Sequence, residues 1–206
     1  MSNSLQLDVR DLAVARGGRV LVSGLAFSLA QGQGLIVRGP NGAGKSTLLR
    51  ALAGLLPVEA GSIALSGADE GETLASSAHY LGHRNAMKDA LTAAENLSFW
   101  QDFCGAAHLS VPEALAAVGL PHVAETPFGW LSTGQKRRVA IARLLVSSRA
   151  VWILDEPTAG LDAASSQALD AMLRDHLAGG GILIAATHLP LDVPGVTFLD
   201  IAGDSE

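Results

Sequence analysis

Residues Gly39, Pro40, Asn41, Gly42, Ala43, Gly44, Lys45, Ser46 and Thr47 run consecutively and contain the spacing G-x-x-x-x-G-K-S/T without a gap. Such a spacing suits a polyphosphate cradle. Glycines at 39, 42 and 44 free the backbone to turn successive N–H groups inward around phosphate oxygens. A helix beginning near Lys45 adds the partial positive charge of its N-terminus. In a cradle of this kind Lys45 reaches the β- and γ-phosphates, Ser46 gives its hydroxyl to Mg2+, and Thr47 is placed for the α-phosphate. Eight matched positions between a strand-like and a helix-like run leave little room for a chance glycine-rich turn.

Two further stretches could act on the same ligand. Val151-Trp152-Ile153-Leu154-Asp155-Glu156 is an apolar strand ending in two acids, at the edge where open α/β sheets bind ligands. Asp155 would hold Mg2+ through water, and Glu156 would polarise the water that attacks the γ-phosphate. Alone, the pair could equally be a solvated Asp-Glu-Pro turn; after a matched glycine loop that reading loses. Leu131-Ser132-Thr133-Gly134-Gln135 opens a helix with apolar positions at Val139, Ile141, Leu144 and Leu145. A serine and a glycine at a helix N-terminus make a second anion site in a chain that already has one. The second site needs a second owner.

The elements that must position these residues read as an α/β alternation. Leu35, Ile36 and Val37 form a buried strand entering the glycine loop, and Leu48, Leu49, Ala51 and Leu52 give the following helix its apolar stripe. Leu5 to Ala13 and Val20 to Leu29 flank Gly17-Gly18 as an antiparallel pair, and Pro57 closes the first helical region. Gly61 to Gly67 and Ala78 to Gly82 read as strands. Thr92 with Glu95, and Ser110 with Glu113, are capping-box pairs, so residues near 83–148 are expected to be helical. Strands at Val151 to Leu154 and Ile182 to Ile184, separated by a helix over Ala163 to Leu177, imply a parallel sheet.

Composition bounds the partners. At 206 residues the chain suits one domain with a sizeable core, and its formal net charge of −6 lacks the footprint of a nucleic-acid binder. Lys136-Arg137-Arg138 reads as a solvated helical face. Cys104 is the single cysteine, which excludes an internal disulfide and a cysteine-built zinc site. Hydrophobic residues make up 49% of the chain, yet no run reaches membrane length and the N-terminus does not resemble a signal peptide, so a cytoplasmic protein is expected.

With Gly160-Leu161-Asp162 and Thr187-His188 added, these motifs cover nearly the whole chain in order, and it resembles the nucleotide-binding subunit of an ABC transporter. The resemblance implies a P-loop NTPase (RecA-like) core with an N-terminal antiparallel β subdomain and an inserted helical subdomain at about 83–148, all one domain over 1–206. It also implies ATP and Mg2+ as ligands, and a head-to-tail dimer of two copies in which Ser132 and Gly134 act in trans. Asp162 would link the two sites, and His188 would contact the γ-phosphate and orient the attacking water. Long heptad arms or cysteine pairs, which a DNA-repair ATPase with the same head would carry, are missing, and Glu156 with His188 argues against a module that binds without hydrolysis.

Two positions depart from the family pattern. Where an aromatic normally stacks on adenine this chain has Arg16, whose guanidinium could stack in its place or be an exposed turn charge. Where glutamine normally contacts Mg2+ and water it has His83, which titrates near neutrality. Gly82-His83, Lys88 and Glu95-Asn96-Leu97-Ser98-Phe99-Trp100 are similar to the ATP-binding subunits of cytochrome c maturation haem exporters; an exporter of a different substrate is the alternative. That similarity implies integral membrane transporter subunits as partners at the cytoplasmic face of the bacterial inner membrane. Direct haem ligation is not expected, because His79, His83, Cys104 and His108 read as packing or surface residues. Phe99, Trp100 and Phe103 are either the contact with those membrane subunits or core packing of the first inserted helix.

Overall fold

A computed structural model describes residues 4–69 and 71–202. The chain begins β1 (Gln6–Arg16), β2 (Arg19–Ala30), β3 (Gly34–Arg38), α1 (Lys45–Leu52) and β4 (Ala60–Ser66). It continues through α2 (Leu74–Ser77), β5 (Ala78–Leu81), α3 (Ala93–Cys104), α4 (Val111–Ala117) and α5 (Thr133–Val146). The last elements are β6 (Val151–Asp155), α6 (Ala163–Ala178), β7 (Ile182–Ala186) and β8 (Val196–Asp200).

Gly17 and Gly18, both at positive φ, turn β1 back into β2 with Arg16 opposite Arg19, as a two-residue hairpin loop requires. β4 pairs antiparallel with the other side of β1, giving a sheet in the order β2-β1-β4. The second sheet is parallel throughout, in the order β5-β6-β7-β3-β8. Every residue of β6 and β7 is buried, which suits a sheet covered on both faces. Alternate residues of β6 serve opposite layers: Val151 and Ile153 pack with α1, β1 and β2, while Trp152 and Leu154 pack with α3, α4 and α5. α1 and α5 therefore belong to opposite faces of one sheet. The α/β architecture with its antiparallel sheet is the P-loop NTPase fold that the sequence led us to expect.

Several local readings are corrected. The stretch 83–148 is helical in three pieces, α3 to α5, with non-helical segments and a short 3-10 turn at Phe128–Trp130 between them. Both expected capping boxes are present, at Thr92 and Ser110, and a third, Ser132 with Gln135, opens α5. Arg137 does not lie on a solvated face: it is 5% exposed, because α5 turns that side toward β6. Phe99 and Phe103 are 47% and 71% exposed and stack on each other at 5.9 Å, so they are not core packing. Cys104 is half-buried. β8 was not anticipated; it runs along β3 and delivers the Ile201 N–H to the Arg38 carbonyl at 2.8 Å. Among the described residues no helix is long and apolar enough to cross a membrane.

Candidate active site

The ends of β3, β6 and β7 lie side by side because the sheet order makes those strands neighbours, and each end carries a sequence-predicted site segment. From β3 the chain enters the glycine loop. Gly39 sits at φ 147 against the Ile201 carbonyl, where no Cβ would fit, so β8 helps to fix the start of the loop. Gly42 has open space but φ 86, and Gly44 combines φ 99 with a Cβ position 3.0 Å from that of Leu21. Gly44 is also the N-cap of α1, and no side chain caps this helix. Its first-turn N–H groups are left for another acceptor. Lys45, 8% exposed, donates from Nζ to the carbonyls of Gly39 at 2.7 Å and Pro40 at 2.9 Å.

Above this loop lies a cleft of about 310 Å³. Asn41, Gly42, Gly44, Lys45, Ser46 and Thr47 line one side, Asp155, Glu156 and His188 the other, with Arg16 and Leu21 at the rim. Asp155, 3% exposed, ends β6, and Ser46 and Asp155 together supply the hard oxygen donors that suit Mg2+. Nitrogen donors from Lys45 and the loop, facing carboxylates across a space of this size, also fit a Mg-bound triphosphate.

Glu156 adopts φ 47, a left-handed conformation uncommon for a residue with a side chain. Its N–H donates to the Ala186 carbonyl at 2.8 Å, which ties it to the end of β7. The His188 N–H donates to its carboxylate at 3.3 Å, and His188 Nε2 lies 3.5 Å from Glu156 Oε1 and 2.9 Å from Asn41 Oδ1. With Asn41 so oriented both neighbours are acceptors, so Nε2 carries the proton. Three segments far apart in sequence thus meet over Lys45.

Other predicted residues lie elsewhere. Ser132 is the N-cap of α5, accepting from the Gln135 N–H at 3.3 Å while its own N–H donates to Gln135 Oε1 at 2.9 Å. A Cβ on Gly134 would stand 3.1 Å from the Gly160 carbonyl, so the start of α5 abuts the Gly160 loop. Asp162 caps α6, accepting from the Ser165 N–H at 2.8 Å, and the Ser165 hydroxyl together with that N–H holds its carboxyl below the usual range. Ser132, Gly134, Asp162 and the exposed His83 are not among the residues that line the cleft. A separate cavity of about 550 Å³ beside Trp152 and His176 shares no residue with it.

Sequence reading missed Arg137. Its guanidinium donates to the carbonyls of Gly82 at 2.8 Å, Asp155 at 3.1 Å, Glu156 at 2.7 Å and Pro157 at 3.2 Å, and to Asn85 Oδ1 at 3.4 Å. Burial lowers its pKa, with Asp155 and Glu156 opposing the shift, and guanidinium remains charged at neutral pH. A signal was available: Arg137 stands three, four and seven residues before Ala140, Ile141 and Leu144, on the buried stripe of α5.

A sequence profile described as ABC transporter matches residues 22–159. The chain belongs to the ABC transporter family. It is 54% identical over 201 residues to the Mesorhizobium japonicum protein named cytochrome c biogenesis ATP-binding export protein CcmA, covering 97% of this chain and 100% of that one. A protein of the same name from Chelativorans sp. is 57% identical over 192 residues, 93% of this chain and 95% of that one. In structure, a Pyrococcus furiosus chain described as an ABC transporter ATP-binding protein superposes with a TM-score of 0.80 at 23% identity, over 95% of this chain and 97% of that one. This ABC chain is the ATP-hydrolysing type of subunit, and the described cleft is its candidate nucleotide site.

Proposed function

We propose that this ATPase powers the export step of cytochrome c maturation, as a pair of chains bound to membrane transporter subunits at the cytoplasmic face of the bacterial inner membrane. Support for the pathway comes from relatives named for cytochrome c biogenesis that match nearly the whole chain. The catalytic reading rests on one observation: Asn41, Glu156 and His188 converge over the Lys45 cleft.

In this reading the backbone from Gly39 to Thr47, with Lys45, grips the β- and γ-phosphates of ATP. Ser46 and Asp155 would hold Mg2+, which would supply charge neutralisation to the phosphates. Glu156 accepts a hydrogen bond from water and aligns it in line with the γ-phosphorus, while the His188 Nε2–H turns from Asn41 to a γ-phosphate oxygen. Water adds to phosphorus as the bond to the β–γ bridging oxygen breaks, leaving ADP and inorganic phosphate. Ser132 and Gly134, outside the cleft of their own chain, face the γ-phosphate held by the second copy, and Asp162 reaches across the same interface. The Ser132 oxygen accepts within its own cap, but its hydroxyl proton remains free to donate. Arg16 covers the adenine by stacking. His83 meets the metal only if its loop moves inward on closure. The substrate of the complex is haem, handled by the membrane subunits without ligation to this chain, and nucleic acid is not a partner.

Steady-state hydrolysis by the wild-type chain and Glu156→Gln tests the catalytic assignment. We expect a loss on the order of 100- to 1,000-fold with ATP-driven pairing retained; wild-type turnover in Glu156→Gln would exclude the assigned role. Co-purification from membranes tests the pathway. Membrane subunits of an unrelated exporter would remove the haem assignment and leave the ATPase untouched.

A further inference from the structure

We infer that Arg137 is a positioning residue that makes α5 the shared support of two half-sites: its N-terminus serves the ATP of the partner copy, and its buried guanidinium holds the glutamate of its own. The inference rests on the paired arrangement proposed above. Glu156 occupies a left-handed conformation with both its backbone polar groups held, the N–H by Ala186 at 2.8 Å and the carbonyl by Arg137 at 2.7 Å. A residue in that conformation keeps its side-chain direction only while its surroundings fix it. Arg137 is the one member of those surroundings that comes from α5, five residues after Ser132.

The same guanidinium also holds Gly82 at 2.8 Å and Asn85 at 3.4 Å, in the segment that follows β5 and carries His83. It lines no part of the cleft, so it acts through Glu156 and the 82–85 segment and not on ATP. A planar fork can serve four carbonyls and an amide at once. Lysine, a point charge with a shorter reach, cannot. A displacement of α5, whether started by the partner's nucleotide or by a partner pushing on the segment after β5, would therefore be felt at Glu156 directly. Arg143, six residues on and equally buried, supplies the contrast: it donates to the Tyr80 carbonyl and stacks on Trp100 at 4.4 Å, and it touches no residue of the cleft.

The test uses the full chain with Arg137→Lys, Glu156→Gln, the double variant and Arg143→Lys. Arg137→Lys is expected to lower kcat by about 100-fold, the scale of a misplaced catalytic group, with the KM for ATP within about twofold of wild type. In the Glu156→Gln background the same change should add less than about threefold, because the group it positions is already disabled. ATP-driven pairing of the double variant should match that of Glu156→Gln. Arg143→Lys should lower the melting temperature while keeping kcat within about threefold of wild type. Wild-type kcat in Arg137→Lys, a loss that multiplies with Glu156→Gln, or a defect confined to KM would overturn the assignment. Arg137→Gln is read in parallel in case the lysine variant does not fold, and failure of both to fold would mark Arg137 as a structural strut only. Wild-type turnover in Glu156→Gln would fault the catalytic reading itself, an outcome distinct from all of these.

Discussion

α1 and α5 both aim their N-termini at phosphate in the proposed cycle, and they begin in opposite ways. α1 starts from Gly44 at φ 99 with no side-chain cap, so its first N–H groups depend on an acceptor from outside. α5 starts from Ser132 with a complete capping box, in which serine and Gln135 satisfy each other's backbone. In that proposal the end that binds nucleotide within its own chain is the uncapped one, to be completed by the ligand. The end that the proposal offers to a partner is capped within its own chain. The two helices pack on opposite faces of the parallel sheet, and Arg137 of α5 grips the end of β6, one of the strands between them.

Gly44→Ala would break the contrast most strongly. It forces a Cβ into φ 99 and to within 3.0 Å of the Leu21 Cβ, so the loop must rearrange. Strain of about 2–3 kcal/mol would weaken ATP binding by roughly 100-fold in a nucleotide titration. Unchanged affinity would mean that the open helix end is not what holds phosphate.

Ser132→Ala sharpens the other side. Loss of the cap should cost about 1 kcal/mol and lower the melting temperature by roughly 2–4 °C. ATP affinity of the isolated chain should not move, while turnover of the paired chains falls by about tenfold. A weaker grip on ATP by the single chain would place Ser132 in its own site and contradict the trans arrangement.

Acid should act through two buried histidines, one on β5 and one on α6. Burial depresses His79, which bonds the Ser147 carbonyl at 2.9 Å, and His176, which stacks on Trp152 at 4.2 Å, each from 6.5 to about 4. Both are neutral in the folded chain where the unfolded chain is already protonated. Their contribution is therefore complete above about pH 6.5 and is lost as pH falls toward 4, by roughly 3 kcal/mol for His79 at the acid limit. Melting temperatures across pH 7.5 to 4.5 should fall in wild type and fall less in His79→Gln. Equal slopes would remove the assignment to that histidine.

Much of the site was readable because its parts are contiguous. The glycine loop, the Asp155-Glu156 strand end and the capping boxes at Thr92 and Ser110 are patterns of a few consecutive residues, and the capping boxes are closed by hydrogen bonds within the same short span. Arg137 escaped because three adjacent basic residues suggest a wet face, whereas burial depends on what α5 packs against. β8 escaped because it is a short edge strand whose alternation only makes sense beside β3. The exposure of Phe99 and Phe103 could not be read from aromatic character, which suits a core and a contact surface equally.

What the sequence by itself determined is the pattern of the phosphate cradle, since positive φ at Gly39, Gly42 and Gly44 ahead of a helix is a demand that glycine spacing announces, even though Ile201 and Leu21 pack against the finished loop. What only the tertiary structure decided is the company this cradle keeps. Asn41 and His188 touch across 147 residues, and Glu156 joins them, because parallel pairing sets the ends of β6, β7 and β3 side by side. Long-range strand pairing is a property of the packed sheet, and no local spacing encodes it.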